Sequence, residues 1–279
     1  MSVIRVVLSS FLALCLSVVA TSVFSQAQPA KKPFEPEVGQ QGKDVIWVPT
    51  VDTMVNKMLD LAKVTPNDYV IDLGSGDGRT VIAAAMRGAR ALGIEYNPDM
   101  VDLSKRNAEK AGVAARANFI KADLFESDFS QATVITMFLL PTINLKLRPK
   151  ILDLKPGTRI VSNTFSMGEW EADESASVDD DSAGPWRTAL LWIVPAKVEG
   201  TWKLQDAELT LKQNFQMLTG TLKSGVSTVA ITNGRLRGDQ ISFTAGNSAY
   251  AGRVIDNVIE GTFKSGGNTG KWHATRSSL

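Results

Sequence analysis

Val70-Ile71-Asp72-Leu73-Gly74-Ser75-Gly76-Asp77-Gly78-Arg79 leaves a short apolar run and enters an alanine-rich one. Glycines at such a junction let the backbone turn sharply and approach a ligand where a Cβ would collide. A helix starting near Arg79 turns its free N–H groups toward the same point. The stretch therefore predicts a ligand-binding turn between a strand over 69–73 and a helix over 79–87 that Gly88 stops. A tight βα turn without a ligand is the bland alternative. Nicotinamide and flavin proteins use the same corner, so the glycines alone do not choose the ligand.

Strand and helix patterns alternate outward from this turn. A strand is expected over 91–94, and Asn97-Pro98-Asp99 opens a helix with a capping residue and a proline at its first position, closed by Gly112. Strands follow over 119–122, 133–140 and 159–165, with a helix over 142–154 between the last two. Upstream, Val51, Met54, Val55, Met58, Leu59 and Ala62 recur at three- and four-residue steps, the face of an amphipathic helix. This alternation predicts an α/β fold with a doubly wound, mostly parallel Rossmann-like sheet. Trp170 and the segment 187–194 are expected to add an antiparallel hairpin at its edge, around an acidic loop over 171–181. Beyond Pro195 the helical period gives way to short alternating stretches between glycines, which predicts an all-β domain over 198–279, an antiparallel meander or small barrel. Its Trp202, Phe215, Phe243, Phe263 and Trp272 read as core rather than as a ligand box.

Two details of the turn narrow the ligand. Asp72 ends the first strand, and the spacing is Gly-x-Gly-x-Gly over Gly74, Gly76 and Gly78 rather than Gly-x-Gly-x-x-Gly. A carboxylate there repels a pyrophosphate and attracts the ammonium of an amino acid. S-adenosyl-L-methionine fits where a dinucleotide does not. Glu95 ends the second strand, placed to accept from two ribose hydroxyls, with Tyr96 and Asn97 beside it; Ser75 lies within the turn. Asp123 follows the third strand, where it can take the adenine amine while Leu124 packs on the ring edge; a turn cap is the alternative for Asp123.

From about residue 47 to 170 the chain resembles the class I, seven-strand methyltransferases. Within them it is similar to the protein-lysine methyltransferases of the mitochondrial inner membrane that modify the ATP synthase c-subunit or the adenine nucleotide translocase. The likeness lies in Val48-Pro49-Thr50, the turn from Asp72 to Arg79, Gly93-Ile94-Glu95-Tyr96-Asn97-Pro98, Asp123-Leu124-Phe125 and Leu139-Leu140-Pro141. The resemblance implies strand order 3-2-1-4-5-7-6, with cofactor at the carboxyl ends of strands one to three. It makes 47–197 the methyltransferase domain and points to a lysine acceptor. Val48, Pro49, Thr50, Leu140 and Pro141 are candidates for the substrate mouth, although Leu140 and Pro141 read equally as a strand end and helix start. A lysine must lose its proton before attack, and an apolar channel lowers its pKa by disfavouring the charged form. No catalytic acid or base is assigned.

Composition narrows the alternatives. Thirty Lys plus Arg stand against 29 acids, so no overall charge draws the chain to nucleic acid. The single cysteine, Cys15, and the single histidine, His273, leave no disulfide framework, thiolate zinc site or cysteine protease, and no metal site is expected. Arg5, the apolar run over 6–24 and Ser25-Gln26-Ala27 make 1–27 a secretory signal peptide or, uncut, a membrane anchor through 4–24. The expected location is therefore exported, in the periplasm or outside the cell, or membrane-anchored. The proline-bearing stretch over 28–46 reads as a flexible linker. Three functions remain: methylation of a protein amine, methylation of a small molecule, or an envelope binding module that keeps the cofactor fold with little turnover.

Overall fold

The computed structural model describes residues 34–277. The expected signal peptide or anchor over 1–27 lies outside them, and among the described residues no helix is long and apolar enough to cross a membrane.

A seven-stranded sheet forms the first layer system. Its strands are β1 (Tyr69–Leu73), β2 (Arg90–Glu95), β3 (Ala117–Lys121), β4 (Val134–Met137), β5 (Arg159–Asn163), β6 (Glu174–Ser177) and β7 (Thr188–Ile193), in the order β3-β2-β1-β4-β5-β7-β6. The first five run parallel, and β7 returns antiparallel between β5 and β6. Successive residues of a strand face opposite sides. Val70, Ala91 and Val134 accordingly join Met54, Leu59, Val81 and Val101 on one face, under α1 (Asp52–Leu61), α2 (Arg79–Met86) and α3 (Pro98–Lys110). Ile71, Ile135 and Trp192 meet Ile143, Leu147 and Ile151 of α4 (Pro141–Leu152) on the other. The Asn97 side chain caps α3 by accepting from Asp99 N at 2.9 Å, with Pro98 in the first turn.

The edge hairpin departs from expectation. Its outer strand, β6, lies inside the stretch expected to be an acidic loop, and Trp170 stands outside any strand, wholly buried. Glu-Ser-Ala-Ser is polar because an edge strand with one half-covered face needs no apolar run and is safer from further pairing with charge on it.

The second sheet closes on itself. Strands β8 (Gly200–Lys203), β9 (Glu208–Asn214), β10 (Met217–Ser224), β11 (Ser227–Arg237), β12 (Gln240–Ala245), β13 (Ser248–Ile255), β14 (Val258–Ser265) and β15 (Asn268–Arg276) make an antiparallel barrel in which β15 returns to β8. Trp202, Phe243 and Trp272 fill its interior. Phe215, expected in that core, instead stacks on Trp170 at 5.9 Å and 14°, so the β9–β10 turn packs on the first sheet's core. Arg235 pairs with the buried Asp173 at 2.8 Å, Arg237 with Glu174, and Gln216 Nε2 donates to Glu171 O at 2.8 Å.

The stretch expected as a flexible linker ends earlier than 46. Gly39 N donates to Trp47 O at 2.8 Å and Trp47 N to Gln40 O at 2.9 Å, a backbone exchange that folds residues 39–47 into an ordered strap. Proline content read as flexibility, whereas antiparallel backbone pairing and the Trp47 side chain hold the segment down.

Candidate functional site

A cleft partly open to solvent lies at the carboxyl ends of β1, β2, β3 and β4, with the strap as its outer wall. Three strand ends each place a carboxylate on it: Asp72 from β1, Glu95 from β2 and Asp123 just after β3. Gly74, Ser75, Gly76, Tyr96, Asn97 and Leu124 line it too, as do Val48, Pro49 and Thr50.

The glycines divide by role. Gly74, Gly76 and Gly78 all have positive φ, 79°, 53° and 85°, a region that L side chains enter at a steric cost. A Cβ on Gly76 would stand 2.6 Å from the Trp47 indole nitrogen, so this glycine lets the strap close on the turn. Gly78, expected among the cofactor residues, is absent from the cleft wall: a Cβ there would meet the Phe119 ring at 2.7 Å and Ser104 at 2.8 Å. It shapes the turn by allowing α2 to seat against β3 and α3. Leu140 and Pro141 likewise leave the site. β4 ends at Met137, the chain turns, and both residues are exposed at the start of α4, while Phe138 and Leu139 take their place in the wall.

Glu95 accepts from Gly76 N on Oε2 and from Asn97 N on Oε1, each at 2.9 Å, which fixes its plane and leaves lone pairs on both oxygens for hydroxyl donors. Asp123 accepts from Phe125 N at 2.9 Å and pairs with Lys43 of the strap, whose ammonium also lies 5.1 Å from the Tyr96 ring centre. Hydrogen bonding to Lys43 holds the Asp123 carboxyl below its usual range. The capping alternative and the cleft position are thus both realised in Asp123. Arg79 binds Asp77 at 2.6 Å and donates to Thr50 O at 2.9 Å, tying α2 to the strap's end.

The model of the ANTKMT methyltransferase domain family matches residues 72–174. A protein-lysine N-methyltransferase of Saccharolobus islandicus is 42% identical over 153 residues, 54% of this chain and 94% of that protein. This chain belongs to the class I S-adenosylmethionine-dependent methyltransferases. A mouse lysine N-methyltransferase of the ATP synthase c-subunit is 37% identical over 114 residues, 40% of this chain and 46% of that protein, so the chain spans about half of this relative's length. The crystal structure described as an RNA methyltransferase from Salinibacter ruber, in complex with S-adenosyl-L-homocysteine, aligns with a TM-score of 0.51 and 45% identity over 54% of this chain and 96% of that one. The family match ends before the barrel begins.

S-adenosylmethionine is the cofactor of this methyltransferase, and the cleft suits it. Asp72 is buried with one hydrogen bond, from Thr136 Oγ1 at 2.6 Å. Burial, reinforced by Glu95 and Asp77, pushes its carboxyl up to about 7 against that hydrogen bond. A buried carboxylate in this state is favoured by an entering cation. Three residues that the sequence did not single out, Lys43, Asp77 and Arg79, also line the cleft. Asp77 and Arg79 stand within the decisive stretch but carried no expected role. Lys43 had no local signal, because its partner Asp123 is 80 positions away.

Proposed function

We propose that the methyl acceptor is the ε-amino group of a protein lysine. The observation that carries this reading is the 42% identity spanning 94% of the archaeal protein-lysine methyltransferase. The lysine-modifying mouse relative supports it. In this reading Asp72 holds the cofactor's ammonium, Glu95 its ribose hydroxyls and Asp123 its adenine amine, with Leu124 against the ring. S-adenosylmethionine supplies an electrophilic methyl group on a sulfonium. The lysine nitrogen donates its lone pair to that carbon, the carbon–sulfur bond breaks onto sulfur, and the nitrogen then sheds a proton to solvent. The chain's part is alignment, exclusion of water and desolvation of the amine. His273 stands on β15 of the barrel, outside the cleft wall, so no histidine serves as base there.

The Salinibacter relative's description offers RNA as a second acceptor. Charge argues against it: Asp179, Asp180 and Asp181 lie in the loop between β6 and β7, next to the cleft's Thr50 side through the bond from Thr53 to Asp180, and would repel phosphates. For the whole protein, the leader over 1–27 supports export or anchoring, and an acceptor in or at a membrane fits that reading. Incubation with tritiated cofactor and a membrane extract, then digestion and mass spectrometry, tests the reading. Label on lysine in a polypeptide is expected; label confined to RNA or to small molecules would remove the lysine reading, and no label at all would favour the binding module.

A further inference from the structure

Phe138, Phe165 and Trp186 are half-buried aromatics that belong to none of the three hydrophobic cores. Phe138 instead contacts both of the others. Phe138 stacks on Phe165 at 5.8 Å and 18° and meets Trp186 edge-on at 5.7 Å and 70°. Phe138 follows β4, Phe165 follows β5, and Trp186 precedes the antiparallel β7, so all three stand at the carboxyl edge of the sheet. Phe138 is also part of the cofactor cleft, with Thr50. β4 is the neighbour of β1 on the side away from β2 and β3, and Thr136 of β4 is the residue bonded to Asp72. From Phe138 in the cleft wall the trio thus extends along the carboxyl edge of the sheet, on the side away from Asp123.

The backbone is arranged to put it there. Thr164, a β-branched residue, has φ 62°, the left-handed region that such residues avoid. Its N donates to Thr188 O and Phe165 N donates to Asn163 O, both at 2.7 Å, while Thr164 Oγ1 donates to Asn163 Oδ1 at 3.0 Å. The strained corner sends Phe165 off the strand toward Phe138. Backbone strain held by surrounding bonds is a mark of functional positions. Trp186 is set by its own loop, through Trp186 N to Ala183 O at 3.0 Å. That loop also carries Asp179, Asp180 and Asp181; Asp180 accepts from Thr53 of α1 at 2.6 Å, and Asp181 holds Arg187 at 2.9 Å.

We propose that Phe138, Phe165 and Trp186 form the wall on which the acceptor lysine lies, on a polypeptide whose flanking residues are basic. This rests on the lysine reading above. The aliphatic stem of lysine packs on aromatic rings, and their faces attract the ammonium as it arrives, before desolvation in the cleft favours its neutral form. The acids of the adjoining loop complement positive neighbours in the sequence of the substrate.

The test uses the full chain with saturating cofactor and three synthetic peptides: lysine flanked by arginines, lysine flanked by glutamates, and norleucine flanked by arginines. In Phe165→Ala and Trp186→Ala, S-adenosylhomocysteine affinity is expected to stay within about two-fold while KM for the arginine-flanked lysine rises about ten-fold. Trp186→Phe should recover most of that loss. The norleucine peptide should compete weakly, and the glutamate-flanked one should be the poorer substrate. Unchanged KM in both alanine variants overturns the wall while leaving the lysine reading intact. Should the alanine variants lose S-adenosylhomocysteine binding, Phe165→Leu and Trp186→Phe replace them, and the same loss in those shows that the trio holds the fold, which also overturns the proposal. A wild-type protein that methylates a free small amine or RNA but no lysine peptide refutes the lysine reading itself, and the wall with it.

Discussion

Asp72 makes cofactor affinity depend on pH in a direction that its environment dictates. Its carboxyl is buried and pushed up to about 7, so in the empty cleft it is half protonated near neutrality. An entering ammonium needs the carboxylate. Below pH 7 the cofactor's own amine is fully charged, which leaves Asp72 as the group whose state changes. Affinity follows the ionised fraction of Asp72, which falls steeply as pH drops from 7 to 5.5, a loss on the order of ten-fold. Stability of the free protein moves the other way. The folded carboxyl binds its proton up to about 7 and the unfolded one only to near 3.8, so the folded state holds the extra proton between those values. Stability is highest below that window and falls as pH rises through it, by on the order of 4 kcal/mol at the plateau. Calorimetry with S-adenosylhomocysteine across this range, in wild type and Asp72→Asn, reads both. Asp72→Asn should bind more weakly at neutral pH, with a flat profile. Affinity in the wild type that is constant from pH 7 to pH 5.5, or an Asn variant that keeps the wild-type slope, would refute the reasoning.

Glu95→Ala should weaken S-adenosylhomocysteine binding by roughly 1.5–3 kcal/mol, the range for bonds to a charged acceptor, with Glu95→Gln milder; titration calorimetry reads both, and unchanged constants would put the ribose elsewhere. Gly76→Ala and Gly78→Ala should separate binding from folding. Both place a methyl at a positive φ and should lower Tm; the first also displaces Trp47 and the strap and should raise the Kd, while the second drives a methyl into Phe119 and Ser104, should lower stability by roughly 1–3 kcal/mol and should leave the Kd of the folded protein little changed. We propose that the barrel is separable from the methyltransferase fold: truncation after Lys197 should leave a protein that binds cofactor but melts several degrees lower, since it uncovers Trp170 where Phe215 stacks, a loss of about 2 kcal/mol. A truncated chain that binds no S-adenosylhomocysteine would show that the barrel completes the core.

The sequence by itself determined the central βαβ units, the acids on β1, β2 and after β3, and the change to an all-β second half. Each of these is local chemistry: Asn97 and Pro98 start a helix, glycines occupy positive φ, and alternation of apolar residues sets which face is buried. The strand order was legible through family resemblance rather than through local pattern. Tertiary structure alone decided that Gly78 serves packing while Gly76 serves the strap, because both lie in one motif and differ only in what a Cβ would meet. It also decided that residues 39–47 close the cleft, that β6 runs through the acidic stretch, and that Phe215 leaves the barrel to cover Trp170. The aromatic trio came from the structure as well, since its members are separated by 27 and 21 positions (165 minus 138; 186 minus 165) and meet only because three strands end side by side. Caps, turns and periodicity act over a few residues and are written in the chain, whereas the contacts that build this site depend on which strand ends the sheet sets next to each other.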